Sequence, residues 1–350
     1  MAPLSVLDLS FVTTQTPPSQ ALANTIDLAK LVDRLGYKRF WLAEHHSLAS
    51  VASPAPEIMI GQIAAVTQNI RVGSGGIMLT NHAPLMVAER FKMLEALFPG
   101  RIDLGLGRAP GTDQVTAFAL RRKMEERQGD DFLERLQELM LWENREFPEG
   151  HPFNKITVMP NDVPLPPLWL LGSSDYSAQL AAQIGVGYSF ASHFSDFDAV
   201  GPMRAYRELF RPSETLEKPY SIIALASVVA ETDEEADYLA GTYDLNWIRR
   251  ARGEMHPLPS PEEAKAYPWT DAERAYVARK RARLFFGSAK TVARRIAGFV
   301  EETQADEVMV TSSIFDHAKR KRSYELLMAE WGKLSGKAVD VSCGGVMCRS

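Results

Sequence analysis

Short apolar runs of strand length alternate with longer segments of helical period along most of the chain. Apolar residues three or four positions apart indicate an amphipathic helix, and a short apolar run between turn residues indicates a buried strand. The pattern predicts eight strands, at residues 4–9, 38–43, 71–79, 101–107, 166–171, 186–191, 219–230 and 305–312. It predicts helices at residues 20–35, 57–68, 84–98, 123–142, 174–184, 199–210, 233–248, 288–303 and 318–331. Gly36 is expected to cap the first helix at its C-terminus.

Eight strands, each followed by a helix, predict an α/β fold of the TIM (β/α)8 barrel type. An open doubly wound sheet is the alternative architecture. Such a barrel needs roughly 250 residues, whereas this chain has 350. The surplus is placed in four insertions, at about residues 45–56, 109–122, 142–164 and 249–286. We expect a single domain over residues 1–334, a tail at 335–350, and a lid formed by the insertion at 249–286.

The composition is that of an ordinary globular protein, with 45% hydrophobic and 24% charged residues. A net charge of −5 without a basic block disfavours nucleic acid as a partner. No apolar run approaches the ~20 residues of a membrane span, and the N-terminus lacks the positive start of a signal peptide. The two cysteines, Cys343 and Cys348, lie in the tail, where their spacing suits neither a disulfide framework nor zinc. We therefore expect a cytoplasmic enzyme without a metal.

Polar side chains follow most of the predicted strands. They are Glu44, His45 and His46 after the second strand, Thr80, Asn81 and His82 after the third, Arg108 after the fourth, Ser173 and Ser174 after the fifth, Ser192 and His193 after the sixth, and Ser312 and Ser313 after the eighth. A barrel binds its ligand at this end of the strands. Loop polarity alone explains part of the pattern. The clustered histidines, arginine and serines nevertheless indicate a pocket for an anionic ligand.

Adjacent residues on an extended strand point to opposite faces, so His45 and His46 are poorly placed to chelate one metal ion. We expect one histidine to face the barrel mouth, where it can act as an acid or base. Its neighbour is expected to be held by surrounding contacts.

Four glycine-containing segments are considered for ligand contacts. The segment GLGRAPG (105–111) lacks the spacing of a dinucleotide-binding turn. Gly172, Ser173 and Ser174 precede a predicted helix with Ser177 one turn in, which suits a phosphate, although simple capping by serine is the alternative. Gly287 and Ser288 form a second candidate phosphate site. Gly75 and Gly76 lie inside a strand, where glycine indicates close approach of another group.

Four segments, WLAEHH (41–46), RVGSGGIML (71–79), HAP (82–84) and GRIDLGLGR (100–108), resemble the bacterial luciferase-like flavin monooxygenases in order and spacing. The later stretch from Gly172 to Gln183 is similar to the segment of that family that binds the flavin phosphate. The likeness extends over about residues 4–330. Luciferases proper carry a reactive cysteine where this chain has Gly107, so the chain resembles the non-luminous branch, and the small residue is expected to open room near the flavin.

The resemblance implies a TIM barrel that binds reduced FMN (FMNH2), supplied by a separate flavin reductase, and uses O2 to oxidise a small organic substrate. It implies that His45 is catalytic, oriented by Glu44 and His46, and that the chain forms a homodimer. The cofactor-binding residues it implies are Gly75 and Gly76 against the flavin ring, with a cis peptide between them, and Arg108, Gly172, Ser173, Ser174 and Ser177 at the phosphate. A deazaflavin-dependent hydride-transfer oxidoreductase and a flavin-binding protein without turnover are the alternatives.

Overall fold

A closed parallel barrel forms the centre of the molecule. The computed structural model describes residues 1–121 and 131–336. Its strands, in chain order, are β1 (Leu4–Asp8), β2 (Arg39–Leu42), β3 (Arg71–Ser74), β4 (Ile77–Met78), β5 (Ile102–Gly107), β6 (Leu168–Gly172), β7 (Gly187–Ala191), β8 (Ser221–Ala230), β9 (Phe285–Ser288) and β10 (Glu307–Thr311). The sheet order is β10-β1-β2-β3-β5-β6-β7-β8, and β8 also pairs with β10, which closes the ring. The predicted TIM barrel is confirmed, and the open sheet is wrong because both edges of that sheet are paired.

Helices surround the barrel and follow its strands. They are α1 (Pro18–Leu35), α2 (Pro56–Val66), α3 (Pro84–Leu97), α4 (Gln114–Arg121), α5 (Phe132–Asn144), α6 (Asp175–Ile184), α7 (Val200–Leu209), α8 (Asp233–Ala251), α9 (Pro261–Ala266), α10 (Asp271–Arg281), α11 (Ala289–Thr303) and α12 (His317–Leu334). Gly36 ends α1 with a φ of 82°, the left-handed conformation that favours glycine, as predicted. No helix in the described ranges is long and apolar enough to cross a membrane.

Alternation along β2 divides its side chains between two layers. Phe40 and Leu42 belong to the large core between barrel and helices, whereas Trp41 packs inside the barrel. The Trp41 ring meets the Trp169 ring edge-on, with 5.3 Å between centroids. Ala43, the first residue after β2, also packs inside the barrel.

Buried charges occupy the N-terminal end of the barrel. Arg39, the first residue of β2, donates to Asp103 at 2.7 Å and to Glu307 at 3.0 Å, and both carboxylates are fully buried. Arg71 donates to the other oxygen of Asp103 at 2.7 Å, and Lys38 lies 3.3 Å from Glu307. Burial acts to raise the pKa of Asp103, but the charges of Arg39 and Arg71 outweigh it and hold that pKa below its usual range. The sequence pattern gave no indication of this network.

Several predicted elements differ from the structure. The predicted strand at 71–79 is divided into β3 and β4 by Gly75 and Gly76, and the two parts form one position in the ring. The predicted insertion at 249–286 contains α9, α10 and the start of β9, which pairs with the C-terminal half of β8. Part of the helix predicted at 123–142, and the tail with Cys343 and Cys348, lie outside the described residues. The division into one domain and a tail stays a prediction.

Candidate active site at the barrel mouth

Glu44 is the centre of a hydrogen-bonded cluster just beyond β2. Its fully buried carboxylate receives the main-chain N–H of Met78 at 2.8 Å and the side-chain amide of Asn81 at 3.0 Å. The Nε2 atoms of His46 and His82 lie 2.8 and 3.0 Å from its two oxygens. Burial acts to raise the pKa of Glu44, but these hydrogen bonds and the nearby His82 hold it below its ordinary value. Glu44 is therefore an anion that fixes the loop after β4.

This arrangement changes the relation expected among Glu44, His45 and His46. Glu44 binds His46 and His82, and among the described residues it makes no hydrogen bond to His45. The two side chains differ in their surroundings, since the carboxylate of Glu44 is fully hydrogen-bonded and Nδ1 of His45 has no partner among the described residues. No hydrogen bond within the described residues therefore supports the expectation that Glu44 and His46 orient His45. Within residues 1–121 and 131–336, no group of His, Cys, Asp and Glu is arranged to hold a metal ion.

Two imidazoles at the mouth carry a buried Nδ1 atom that has no hydrogen-bond partner in the described structure. They belong to His45, after β2, and His193, after β7. Burial lowers the pKa of His45 to about 4, and the positive charge of Arg250 acts in the same direction. Burial also lowers the pKa of His193 to about 4. Both rings are therefore neutral near pH 7, and each has a buried nitrogen whose hydrogen bond is not satisfied within the described residues.

These two histidines predict a loss of stability on the acid side. A histidine whose pKa is lower in the folded than in the unfolded state binds fewer protons when folded, so acid favours unfolding. The window runs from the ordinary value of 6.5 down to about 4. Over it we expect the free energy of unfolding to fall by up to about 3 kcal/mol for each histidine.

Urea unfolding of the flavin-free protein at pH 7, 5.5 and 4 measures this effect. The double variant His45→Gln, His193→Gln should lose that part of the pH dependence, since glutamine does not titrate. Parallel profiles for the variant and the unsubstituted protein would contradict the assignment.

Gly75 and Gly76 lie in a closely packed part of the barrel interior. The peptide bond between them is cis. A Cβ on Gly76 would lie 2.5 Å from the Leu171 side chain, and one on Gly75 would lie 3.1 Å from Trp41. Close packing against the barrel interior therefore requires glycine at Gly76 and leaves little room at Gly75.

The room expected beside Gly107 is filled. A Cβ placed on Gly107 would lie 2.8 Å from Sδ of Met78, so Met78 occupies the space that the small residue leaves. The expectation of an opening at this position is wrong, because a flexible methionine packs into it.

The segment that begins α6 brings several predicted residues together. Gly172 ends β6, and a Cβ there would lie 2.5 Å from the Cβ of Ser177. Ser174 caps α6 by position but makes no side-chain hydrogen bond to the first turn. The guanidinium of Arg108 lies 4.6 Å above the ring of Tyr176 in that turn. An exposed cation therefore lies beside a helix N-terminus that carries Ser173, Ser174 and Ser177.

The second candidate phosphate site is already occupied by a carboxylate. Asp233 accepts a hydrogen bond from the main-chain N–H of Ser288, and the Thr291 hydroxyl donates to its other oxygen at 3.3 Å. A Cβ on Gly287 would lie 2.7 Å from Asp233. An anion here would meet the negative charge of Asp233, so the segment before α11 is not suited to phosphate.

Some residues of the mouth were not among the predicted site residues. His82 and Asn81 reach Glu44 from the short helical turn after β4, and the HAP segment was their sequence signal. His193 was visible only as a polar residue at a strand end. Arg250 lies in the last turn of α8, where no motif indicated its approach to His45.

A parallel barrel with polar residues gathered at the C-terminal ends of its strands defines a TIM-barrel enzyme site. The family model of the luciferase-like monooxygenases matches residues 3–307. The chain therefore belongs to the luciferase-like monooxygenase family, and the resemblance found in its motifs is confirmed.

Individual relatives agree with this assignment. A protein of Escherichia coli strain K12 named luciferase-like monooxygenase is 40% identical over 324 residues, which cover 93% of this chain and 95% of the relative. The structure of apo-MsnO8 has a TM-score of 0.85 and 37% identity, covering 95% of this chain and 98% of the other. The oxygenating constituent of 3,6-diketocamphane monooxygenase from Pseudomonas putida, solved with FMN, shares the fold at a TM-score of 0.70 and 20% identity, covering 95% and 98%.

Proposed function

We propose that this protein is an FMN-dependent monooxygenase that uses reduced FMN and O2 to oxidise a small organic substrate. The observation that carries the proposal is the position of Arg108 above Tyr176, beside the N-terminus of α6. A planar, permanently charged guanidinium is well suited to a phosphate, and the free N–H groups of a helix start favour an anion. The family supplies the flavin and oxygen chemistry that such a site would serve.

The residues present fit a flavin. The orphaned Nδ1 atoms of His45 and His193 offer polar contacts at the mouth, and Arg108 is exposed without an ion pair among the described residues. Under the proposal, the phosphate is held by Arg108, Gly172, Ser173, Ser174 and Ser177, and the ring lies toward Gly75 and Gly76. When bound, reduced FMN supplies the electrons that activate O2.

The chain itself contributes binding, orientation and proton handling. His45 is the residue proposed to move a proton, because its neutral ring carries a buried Nδ1 that has no hydrogen-bond partner among the described residues. Glu44 keeps the segment with His46 and His82 in place. We propose that the segment after α8 covers the mouth from one side. Leu258 in that segment forms main-chain hydrogen bonds with Val12 and Thr14, which follow β1. Such cover excludes water from the reacting groups.

A separate flavin reductase is the proposed source of reduced FMN. The chain has no dinucleotide-binding turn of its own, because its glycine segment at 105–111 lacks the required spacing. The Pseudomonas putida neighbour is described as the oxygenating constituent of its enzyme, which supports a two-component arrangement. We propose that both components work in the cytoplasm.

Rapid mixing tests the proposal. Protein loaded anaerobically with reduced FMN is mixed with oxygenated buffer, and the flavin spectrum is followed. Bound FMN is expected to return to its oxidised spectrum at a rate different from that of free FMN. Replacing Arg108 by glutamine should weaken binding of reduced FMN by about tenfold or more, since a charge-assisted phosphate contact is lost.

Arg34→Gln is the matched control, because Arg34 lies in the last turn of α1, at the opposite end of the barrel. Equal FMN affinities for the two variants would contradict the phosphate site. Binding of a deazaflavin in preference to FMN would instead support hydride transfer, and flavin binding without any effect on its oxidation would support a protein without turnover.

A homodimer is also proposed, through the outer faces of α2 and α3. Ile58 and Val66 on α2 are 64% and 42% exposed, and Met86, Met93 and Leu97 on α3 are 46%, 55% and 67% exposed. Residues seven and four positions apart share a helix face, so the three side chains of α3 form one apolar stripe. An apolar surface of this kind is typical of a protein interface.

The variant Met93→Glu, Leu97→Glu is expected to be monomeric, because two carboxylates would face an apolar partner surface. Light scattering after size-exclusion chromatography gives the mass. Leu209→Glu on α7, where the leucine is 50% exposed, is the control and should keep the dimer mass. A monomeric unsubstituted protein would contradict the proposal.

A further inference from the structure

Arg250 differs from its neighbours in having no carboxylate partner. It lies exposed in the last turn of α8 and makes no ion pair with any residue of the described ranges. Arg249 pairs with Glu263 at 3.3 Å, and Arg252 pairs with Glu273. The arginines on either side of Arg250 are thus used within the segment that follows α8, whereas Arg250 is not.

The end of α8 is fixed close to the barrel mouth. Leu258 donates its N–H to the carbonyl of Val12 at 2.9 Å, and Thr14 donates to the carbonyl of Leu258 at 3.0 Å. The Thr14 hydroxyl donates to Glu263 at 2.8 Å. Residues 12–14 follow β1, so these bonds attach the segment to loops at the C-terminal ends of the strands. Arg250 lies near enough to His45 for its charge to act on that ring.

The acidic residue next to His45 does not serve as a partner of Arg250. Glu44 is the nearest acidic residue in sequence to His45, and its two oxygens are taken by Met78, Asn81, His46 and His82. An exposed cation beside two neutral imidazoles makes this part of the mouth positive. Such a site attracts an anion and discriminates against a cation.

An apolar surface adjoins His193 at the mouth. Phe194 is 65% exposed, and its ring meets the His193 ring edge-on with 4.7 Å between centroids. The loop is held in place by the Ser195 hydroxyl, which donates to the carbonyl of Ser173 at 2.9 Å. A ligand with an apolar body and a charged end would therefore find both complements at the mouth.

We propose that the organic substrate carries an anionic group, such as a carboxylate, that Arg250 binds, while its apolar part lies toward His45, His193 and Phe194. The inference rests on the proposed function, since it names the substrate class of the same mouth. A guanidinium forms two parallel hydrogen bonds with a carboxylate, which fixes the orientation of the bound molecule as well as adding affinity. Arg250 is thus a specificity-determining residue.

Paired titrations with hexanoate and hexanamide test this proposal. The two probes share size and apolar body and differ in charge. Binding is measured from histidine ring signals by NMR at constant ionic strength, with and without FMN. The unsubstituted protein and the control Arg274→Gln should bind hexanoate about tenfold more tightly than hexanamide, and Arg250→Gln should lose that preference. Arg274 suits the control because it lines a separate groove between α8 and α10.

Three results would overturn the inference: equal affinities for the two probes in the unsubstituted protein, a preference that survives in Arg250→Gln, and a preference that is lost in Arg108→Gln instead. Failure of the proposed function would be detected in a separate measurement, that of FMN binding and oxidation. In that case FMN would not bind or react, while the preference for hexanoate in flavin-free protein would still depend on Arg250.

Discussion

Replacing His45 by glutamine is expected to lower kcat for substrate oxidation by at least about 100-fold, the usual contribution of a positioned acid or base. Glutamine keeps a polar side chain of similar reach but does not exchange a proton near neutral pH. The structural reason is the unpartnered Nδ1 of a buried ring that is neutral at pH 7. Single-turnover kinetics with reduced FMN and O2 measure the effect.

Two controls separate chemistry from binding. His151→Gln removes a histidine that stacks on Phe147 in the segment after α5, and should leave kcat unchanged. FMN affinity should fall much less in His45→Gln than in Arg108→Gln, because Arg108 and the start of α6 remain intact. Undiminished turnover in His45→Gln would remove this residue from the mechanism.

The second large effect concerns stability. Replacing Arg39 by methionine is expected to lower the free energy of unfolding by about 3 kcal/mol, since removing one member of a buried ion pair leaves uncompensated charge. The expected value lies at the lower end of the usual range because Asp103 keeps Arg71 and Glu307 keeps Lys38. Urea unfolding at pH 7 measures the change.

Arg322→Met is the matched control. Arg322 also bridges two carboxylates, those of Glu231 and Glu325, but its side chain is 53% exposed. Exposed pairs contribute about 0–1 kcal/mol, so this variant should be close to neutral. Equal losses in the two variants would show that burial is not what makes the Arg39 network important.

Local pattern was enough to predict the barrel. Each strand and helix shows its own apolar period within a short stretch of sequence. Gly36 likewise marks the end of α1 by itself. Residues close in sequence are therefore sufficient to predict these elements. The motif segments added the family, because their order and spacing are properties of the sequence itself.

The features that could not be predicted depend on contacts between distant strands. Arg39 meets Asp103 and Glu307 only after the ring closes, and no local pattern specifies those partners. The hydrogen bonds from Glu44 to His82, and the filling of the space at Gly107 by Met78, arise in the same way. Arg250 lies beyond any motif, and its approach to His45 depends on how the segment after α8 attaches to the loop after β1.

The charge network of Arg39, Asp103 and Glu307 lies at the N-terminal end of the barrel, one full strand length from His45. The buried ion pairs that stabilise the barrel and the histidine proposed to act in the reaction are therefore different residues. Loops at the mouth can accept substitutions that would be harmful in a protein whose active site also held its fold together. We expect relatives to diverge in substrate through the segment after α8 while keeping the same barrel, and libraries restricted to that segment to yield folded proteins at high frequency.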